Sequence, residues 1–453
     1  MPEAEPTMPE TVAAAAPPVP RYTSYPTANH FGTRVTPAVH AGWLAALPAG
    51  SALSLYVHVP FCRALCFYCG CTTQAVRRHA PVAAYLDAVA AEAGRVARLL
   101  PADHEVRHVH LGGGSPDILT PAEIRALGAM LAERFRIAPA AEIAAEIDPR
   151  GFGPETASAF AAIGLTRASI GVQDFDPAVQ QAIGRVQGME ETARAVGLLR
   201  GHGVRSVNID LVYGLPHQTE AGVARTLEAV LALAPDRVAA FGYAHLPSRL
   251  ARQRLIPEAA LPDGAARLAQ ARRIATILAA SGYVACGIDH FALPSDALAT
   301  RKLHRNFQGY TTDDTPVLIG LGASAISRLP QGYAQNAALT REYADMIAAG
   351  GLATVRGHAF GSDDLVRAAA IEQVMCDLAF SADGLHARFG RAADAMASIA
   401  RRIVAQAPAD LVVPTADGFR LTAVARPLAR LFAARFDAYL LADPAARRHA
   451  PAV

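Results

Sequence analysis

Leu53-Ser54-Leu55-Tyr56-Val57-His58-Val59-Pro60-Phe61-Cys62-Arg63-Ala64-Leu65-Cys66-Phe67-Tyr68-Cys69 places a short β-like run directly before three cysteines spaced C-x3-C-x2-C. Five more β-like runs follow, at 106–112, 142–148, 167–173, 206–213 and 237–245. Ala- and Leu-rich stretches of helical period alternate with them, near 80–100, 120–135, 154–163, 190–202, 219–234 and 264–281. Strict alternation of six strand–helix units predicts an α/β fold, because parallel neighbours need crossover connections. Periodicity does not say whether the sheet closes, so the expectation is an open or partial barrel. The cysteines then ride on the loop leaving the carboxyl end of the first strand, the end at which such folds gather ligands.

The chain is long enough for a large core: 453 residues, 52% hydrophobic and 18% charged. Lys plus Arg number 42 against 40 Asp plus Glu, a net charge of +2 with no long basic block, which argues against nucleic-acid binding. No apolar run reaches the ~18–20 residues that cross a bilayer, so no membrane association is expected. The start of the chain carries Glu3, Glu5 and Glu10, unlike a secretory or transit signal, and the expected location is the cytoplasm. Four of the six cysteines, Cys62, Cys66, Cys69 and Cys71, fall within ten residues, which reads as metal or redox chemistry rather than disulfide staples. Cys286 and Cys376 are isolated and read as small buried hydrophobes.

Residues 1–20 are rich in Ala and Pro without periodic large apolar residues, and are expected to form a disordered extension. Arg21-Tyr22-Thr23-Ser24-Tyr25-Pro26 then concentrates aromatics and a cation, and residues 21–52 are assigned to an N-terminal lid segment. Residues 53–362 make the barrel. They include a 290–332 region of little regular period, of the kind that serves as a loop or lid. Residues 363–453 read as a small, mostly helical domain with one hairpin at 411–421 around Asp417-Gly418.

Three thiolates on one short loop can each hold one iron of a [4Fe-4S] cluster and leave the fourth iron open. A zinc site using Cys71 as fourth ligand is the alternative, although four ligands within ten residues are cramped for a tetrahedron. Gly112-Gly113-Gly114 follows a strand and can bring backbone close to a ligand, or can be an ordinary tight turn. Glu146 and Asp210 end strands, where a carboxylate can accept from ribose hydroxyls or simply cap a helix. Asp289-His290 can manage protons or position a substrate, and a satisfied core histidine is the competing reading.

With an aromatic residue before its last cysteine, C-x3-C-x2-C resembles the signature of radical S-adenosylmethionine enzymes. Seven segments in order extend the resemblance across the chain from Arg21 onward, to the branch of that family working in heme biosynthesis. They are Arg21-Tyr22-Thr23-Ser24-Tyr25-Pro26-Thr27, Tyr56-Val57-His58-Val59-Pro60-Phe61-Cys62, Cys69-Gly70-Cys71 and Leu111-Gly112-Gly113-Gly114-Ser115-Pro116. Further on come Gly171-Val172-Gln173-Asp174-Phe175, Asn208-Ile209-Asp210-Leu211-Val212-Tyr213-Gly214-Leu215-Pro216 and His304-Arg305-Asn306-Phe307-Gln308-Gly309-Tyr310-Thr311-Thr312. Ser115 stands where the family often has Thr, and either hydroxyl can serve.

The resemblance implies a partial (β/α)6 TIM-like barrel of the radical S-adenosylmethionine type with a small, mostly helical C-terminal domain. It implies one [4Fe-4S] cluster on Cys62, Cys66 and Cys69, and two molecules of S-adenosylmethionine. Tyr56, Gly112, Glu146 and Ile326 would contact the first; Gly113, Gln173, Arg185, Asp210 and Ala244 the second. Cys71 would not ligate the cluster and would have a catalytic or shielding role, with His290 as a second catalytic candidate. The implied reaction converts two propionates of coproporphyrinogen III to vinyl groups through a 5′-deoxyadenosyl radical, giving protoporphyrinogen IX. Arg21, Lys302, His304 and Arg305, in the two lid-like segments, are candidates for holding the propionates. A reductant protein such as flavodoxin or ferredoxin is the implied partner, and a monomer is the default.

The alternative is a heme-binding chaperone on the same scaffold. Such relatives generally lack the extra cysteine of Cys69-Gly70-Cys71, the 21–27 motif and the 305–312 segment. All three are present here.

Overall fold

The computed structural model describes residues 17–442; residues 1–16 of the expected extension, and 443–453 at the other end, lie outside the described residues. Strands β1 (Ala52–Val59), β2 (Glu105–Gly113), β3 (Ile137–Ile147), β4 (Arg167–Gln173), β5 (Ser206–Tyr213) and β6 (Arg237–Gly242) pair in that order, all parallel. The crossovers carry α2 (Ala80–Leu99), α3 (Pro121–Arg134), α4 (Pro154–Ala162), α5 (Pro177–Ala182) with α6 (Met189–Gly201), and α7 (Glu220–Ala232). Helix α1 (Pro37–Ala45) precedes them and α8 (Gly264–Ala280) follows β6. The six-unit partial barrel is therefore present, followed by a mostly helical C-terminal region.

Both edges of the parallel sheet are extended by strands the sequence does not announce. β7 (Val284–Cys286) and β8 (His290–Ala292) continue antiparallel from β6. β9 (Val317–Leu321) lies parallel to β1, and β10 (Ile326–Leu329), β11 (Gly332–Asn336) and β12 (Thr354–Ala359) add on antiparallel. The twelve-stranded order runs from β12 at one edge to β7 at the other, so the barrel stays open among the described residues. The 290–332 region is consequently not irregular: it holds three of these strands and a hairpin of His304–Asn306 with Gly309–Thr311. Runs of three to five residues are too short to print a legible two-residue period.

Leu53, Leu55, Val57 and Val59 of β1 are fully buried, and helix α2 contributes Val82, Tyr85, Val89 and Val96 to the same core. Parallel strands covered by crossover helices are buried in this way. A second core fills the C-terminal region, where Phe380 stacks on Phe419 and Phe436 at 5.9 and 5.2 Å. The 411–421 hairpin forms as Val412–Thr415 and Gly418–Leu421, joined by a third strand, Ala379–Ser381.

The N-terminal segment ties the two cores together. Gly32 and Gly357 exchange backbone hydrogen bonds of 2.8 Å at the exposed edge of β12. The expected disordered extension ends earlier than residue 20: Val19 is buried and sinks with Tyr22 and Tyr25 into the C-terminal core, because that core offers its side chain apolar contacts. The Tyr22 hydroxyl donates to Asp437 Oδ2 at 3.0 Å, and the Tyr25 hydroxyl accepts from the Ala438 N–H at 3.0 Å. No described helix is long and apolar enough to cross a membrane.

Asp437 is buried and Tyr22 supplies the hydrogen bond to its Oδ2. Tyr22→Phe removes that donor and should cost about 1–3 kcal/mol. Denaturant melts should show the lower midpoint, with faster protease cleavage near residue 21 in the folded protein.

Candidate active site

The cysteine loop is fixed from below by backbone. Phe61–Cys62 pairs with Gln74–Ala75, closing the loop on itself. Gly114 N–H donates to the Val59 carbonyl and Ser115 N–H to the Phe61 carbonyl, both at 2.8 Å. The triple glycine of β2 is explained by these approaches. A Cβ at Gly114 would lie 2.4 Å from the Phe61 carbonyl oxygen, and one at Gly112 would lie 2.8 Å from Glu146 Oε1. Gly113, at φ +109°, would drive a Cβ to 2.4 Å from the His58 ring. The glycines thus admit the protein's own loop and carboxylate.

Cys62, Cys66 and Cys69 front one cavity of about 520 Å3, and none is in a disulfide. Each is held by donors suited to a thiolate. Cys62 Sγ faces the Thr73 and Ser115 hydroxyls at 3.2 and 3.8 Å. Cys66 Sγ accepts from Arg185 at 3.6 Å and Arg150 at 3.9 Å. The Cys71 N–H lies 3.4 Å from Cys69 Sγ, and the Cys71 side chain's hydrogen bond brings the Cys69 thiol down to about 6 against burial. Burial raises the Cys62 thiol. Among the described residues the sulfurs do not converge on one ion position. Three thiols on one loop, with N–H and O–H donors beside them, can each take one iron of a cluster.

Charged side chains lock the loop to the strand ends. Arg63 of the loop pairs with buried Asp117 at 2.8 Å, and Asp117 Oδ1 accepts the Asp148 N–H at 3.0 Å. Asp148 in turn binds Arg150 at 2.6 Å and Arg185 at 3.2 Å. Arg185 also donates to the Gly171 carbonyl at 2.7 Å and to Gln187 Oε1 at 3.1 Å. With its side chain only 8% exposed, Arg185 is no solvated surface cation. Gln173, at φ +70°, sits at the β4–β5 register shift with its amide next to Gly171.

Gly113, Glu146, Gln173, Arg185, Asp210, Ala244 and Cys71 line the same cavity as the three cysteines. Glu146 accepts from the Gly113 N–H at 3.0 Å and pairs with His110 at 3.3 Å; burial works to raise its pKa, and these partners outweigh it and hold it low. Asp210 accepts from Ser169 and Asn208, each at 2.7 Å, yet burial still pushes it up to about 6. Tyr56 and Gly112 stand behind this wall. The Tyr56 hydroxyl meets His58 Nδ1 at 2.9 Å, and its ring stacks on His110. Ile326 lines a neighbouring cavity beside the N-terminal segment.

Below the cysteines, Cys71, Glu146, Ser169, Asp210 and Phe241 also open on a polar lumen of about 250 Å3. His290 lines that lumen, paired with Asp289 at 2.7 Å and packed edge-on to Phe241 and Tyr310. Burial opposes the Asp289 charge, but His290, Arg305 and Arg21 hold the carboxyl down to about 2. The four lid cations separate: Arg305 stacks on Tyr310 and bonds the Arg21 carbonyl, while His304 pairs with Glu372 and Lys302 faces that same carboxylate. Asp117, Asp148, Arg150, Ser169 and Asn208 were not singled out by sequence reading. For Asp148 and Arg150, the legible signal was an ion-pair-forming couple just past the third strand.

A half-barrel of parallel strands with three cysteines on its first loop defines a class, and residues 56–230 match the Radical SAM superfamily. Among curated proteins, the chain is 46% identical over 439 residues to the oxygen-independent coproporphyrinogen III oxidase of Bradyrhizobium diazoefficiens, covering 96% of this chain and 97% of that one. It is 45% identical to the protein of the same name from Paracoccus denitrificans, covering 96% of each. The structure of the Escherichia coli coproporphyrinogen III oxidase, described as a radical SAM enzyme, superposes with a TM-score of 0.88 at 38% identity, over 93% of this chain and 98% of that one. The chain belongs to the oxygen-independent coproporphyrinogen III oxidase family of radical SAM enzymes. A [4Fe-4S] cluster and S-adenosylmethionine come with that membership, and the thiols, their N–H and O–H donors and the adjoining carboxylates fit both.

The raised Asp210 gives a signed pH effect. Between its unfolded value near 4 and about 6, the folded state holds a proton the unfolded state lacks, so stability falls as pH rises through that window. Asp210→Asn should flatten this fall, by about 3 kcal/mol at most, in urea melts of both proteins from pH 4 to 7.

Proposed function

We propose that this chain catalyses the oxygen-independent oxidative decarboxylation of two propionates of coproporphyrinogen III, giving protoporphyrinogen IX. One observation carries the reading: the three cysteines, Glu146, Arg185 and Asp210 share a cavity that opens through Cys71 on a polar lumen. When bound, the cluster supplies the electron that cleaves S-adenosylmethionine to the 5′-deoxyadenosyl radical. Each propionate would give up one hydrogen atom, which ends on 5′-deoxyadenosine, one carbon dioxide, and one electron, which passes to an external acceptor, leaving a vinyl group.

The residues divide this work. Cys62, Cys66 and Cys69 would hold the cluster, with Arg150 and Arg185 stabilising the Cys66 thiolate. Tyr56, Gly112, Glu146 and Ile326 would serve one S-adenosylmethionine. Gly113, Gln173, Arg185, Asp210 and Ala244 would serve a second. Their distribution supports two sites, because Glu146 and Asp210 are carboxylates on strands β3 and β5, separated by β4. Cys71 would act as a hydrogen-bond donor and shield at the opening between the two cavities. His290, oriented by Asp289, would position substrate in the lumen. Arg21 of the 21–52 segment and Asn306 of the His304–Asn306 hairpin line the two cavities, and these segments would help keep water from the radical. The enzyme would work as a cytoplasmic monomer, with electrons from a small reductant protein such as flavodoxin or ferredoxin.

Anaerobic, iron-loaded protein given reductant, S-adenosylmethionine and coproporphyrinogen III should form two 5′-deoxyadenosines per protoporphyrinogen IX, read by chromatography. Cofactor cleavage without decarboxylation, together with tight heme binding, would point to the chaperone instead. Among cysteine variants, Cys66→Ser should lose most iron and the brown absorbance. Cys71→Ser should keep both while turnover drops by tenfold or more.

A further inference from the structure

The three most exposed large apolar side chains among the described residues are Leu339, Val186 and Leu255, at 70, 68 and 62%. All three stand beside residues bonded to the cysteine loop or to the strand that closes it. Val186 follows Arg185, which donates to Cys66 Sγ. Leu255 lies two positions past Gln253, which donates to the Tyr68 carbonyl at 2.9 Å. Leu339 precedes Thr340, whose hydroxyl accepts from Gln74 at 3.1 Å. Single exposed apolar residues are ordinary, whereas three tied to one loop make a patch of the kind that a partner covers.

The segments that carry this loop contribute charge of one sign. No Asp or Glu occurs between Glu10 and Asp87, a span that includes every cysteine of the loop, nor between Asp236 and Glu258. Exposed arginines occupy both segments. Arg63 is on the loop, Arg77 and Arg78 come just after Ala75, which pairs with Cys62, and Arg254 adjoins Leu255. Arg77 and Arg78 make no hydrogen bond or ion pair among the described residues, and helix α2, which they precede, has no acid in its first turn. Acids resume only three or four positions past each apolar residue, at Glu190, Glu258 and Glu342, so the loop's own segments present cations alone.

We propose that this face docks an acidic electron-carrier protein, whose carboxylates meet Arg63, Arg77, Arg78 and Arg254 and whose apolar contacts fall on Val186, Leu255 and Leu339. The proposal rests on the radical-enzyme reading above, in which a cluster on this loop is reduced from outside. One electron leaves the carrier's reduced flavin or iron–sulfur group and enters the cluster, so the carrier is oxidised and the cluster reduced by that one electron. Ala64, Gly70 and Thr72 are exposed, and the carrier meets the loop directly. Contacts that must form, deliver an electron and part are small, and a few apolar side chains with a cationic rim suffice for one. Charge steers the encounter and fixes its register. The apolar side chains favour a protein over a nucleic acid, whose phosphates would use the arginines only.

The test mixes cluster-loaded protein anaerobically with reduced flavodoxin or reduced ferredoxin, both acidic carriers, and separately with reduced methyl viologen, a small cation. Growth of the reduced cluster's electron paramagnetic resonance signal is timed by rapid freezing. Reduction of the wild-type cluster by a carrier protein should slow roughly tenfold between about 50 and 500 mM salt. Arg77→Glu combined with Arg78→Glu should slow it about tenfold at low salt and flatten the salt dependence. Leu339→Asp should slow it about threefold, and the viologen rate should hold in both variants, whose changed positions are all exposed. If the double variant takes electrons from the carrier as fast as wild type, the proposal fails and the reaction stands. If neither carrier reduces the wild-type cluster while viologen supports turnover, the proposal is likewise overturned. A chain that holds no cluster, or whose viologen-reduced cluster cleaves no S-adenosylmethionine, removes the functional reading and the docking face with it.

Discussion

The close approach of β2's last glycines to the cysteine loop is the contact on which the rest of the site depends. The first carbon of any side chain at position 114 would stand 2.4 Å from the Phe61 carbonyl oxygen. Because nothing is there, backbone hydrogen bonds pin the loop at Val59 and Phe61. That pinning aims Cys62 at its hydroxyl donors and leaves Arg63 in reach of Asp117. From Asp117 the chain of hydrogen bonds continues through Asp148 to Arg185 and back to the sulfur of Cys66. The cysteine loop is thereby fixed at both of its first two cysteines.

Electrostatics along the site follow one pattern. Burial raises every carboxyl it touches, and the outcome differs with the partner. Glu146 has a backbone N–H and His110 and stays low; Asp210 has only a hydroxyl and an amide and rises to about 6. Asp289 is surrounded by cations and drops to about 2. Three acids of the site therefore hold their protons very differently, and their partners set the order.

The six strand–helix units were legible because each buried strand is long enough to leave a clear apolar run, and each crossover helix repeats Ala and Leu at helical spacing. β9 to β12 were not, since they run only four to six residues, Gly320 and Gly357 fall inside β9 and β12, and β9 pairs with β1 more than 250 positions away. The cysteines, Gly113, Glu146, Gln173, Arg185, Asp210 and Ala244 were named from sequence and resemblance together, and one cavity holds them all. Residue spacing alone left Glu146 and Asp210 indistinguishable from helix caps. Asp117 and Asp148 escaped notice because a buried ion-pair network is defined by what meets in space, and each acid looks ordinary in its own segment.

Tyr22 and Asp437 are 415 positions apart and meet inside one core. During synthesis the tyrosine leaves the ribosome first and waits for nearly the whole chain before its partner exists. The six-unit barrel, whose neighbouring strands are close in sequence, can assemble in the meantime. Arg21, next to Tyr22, therefore takes its place in the wall of the cysteine cavity only once the last helices exist.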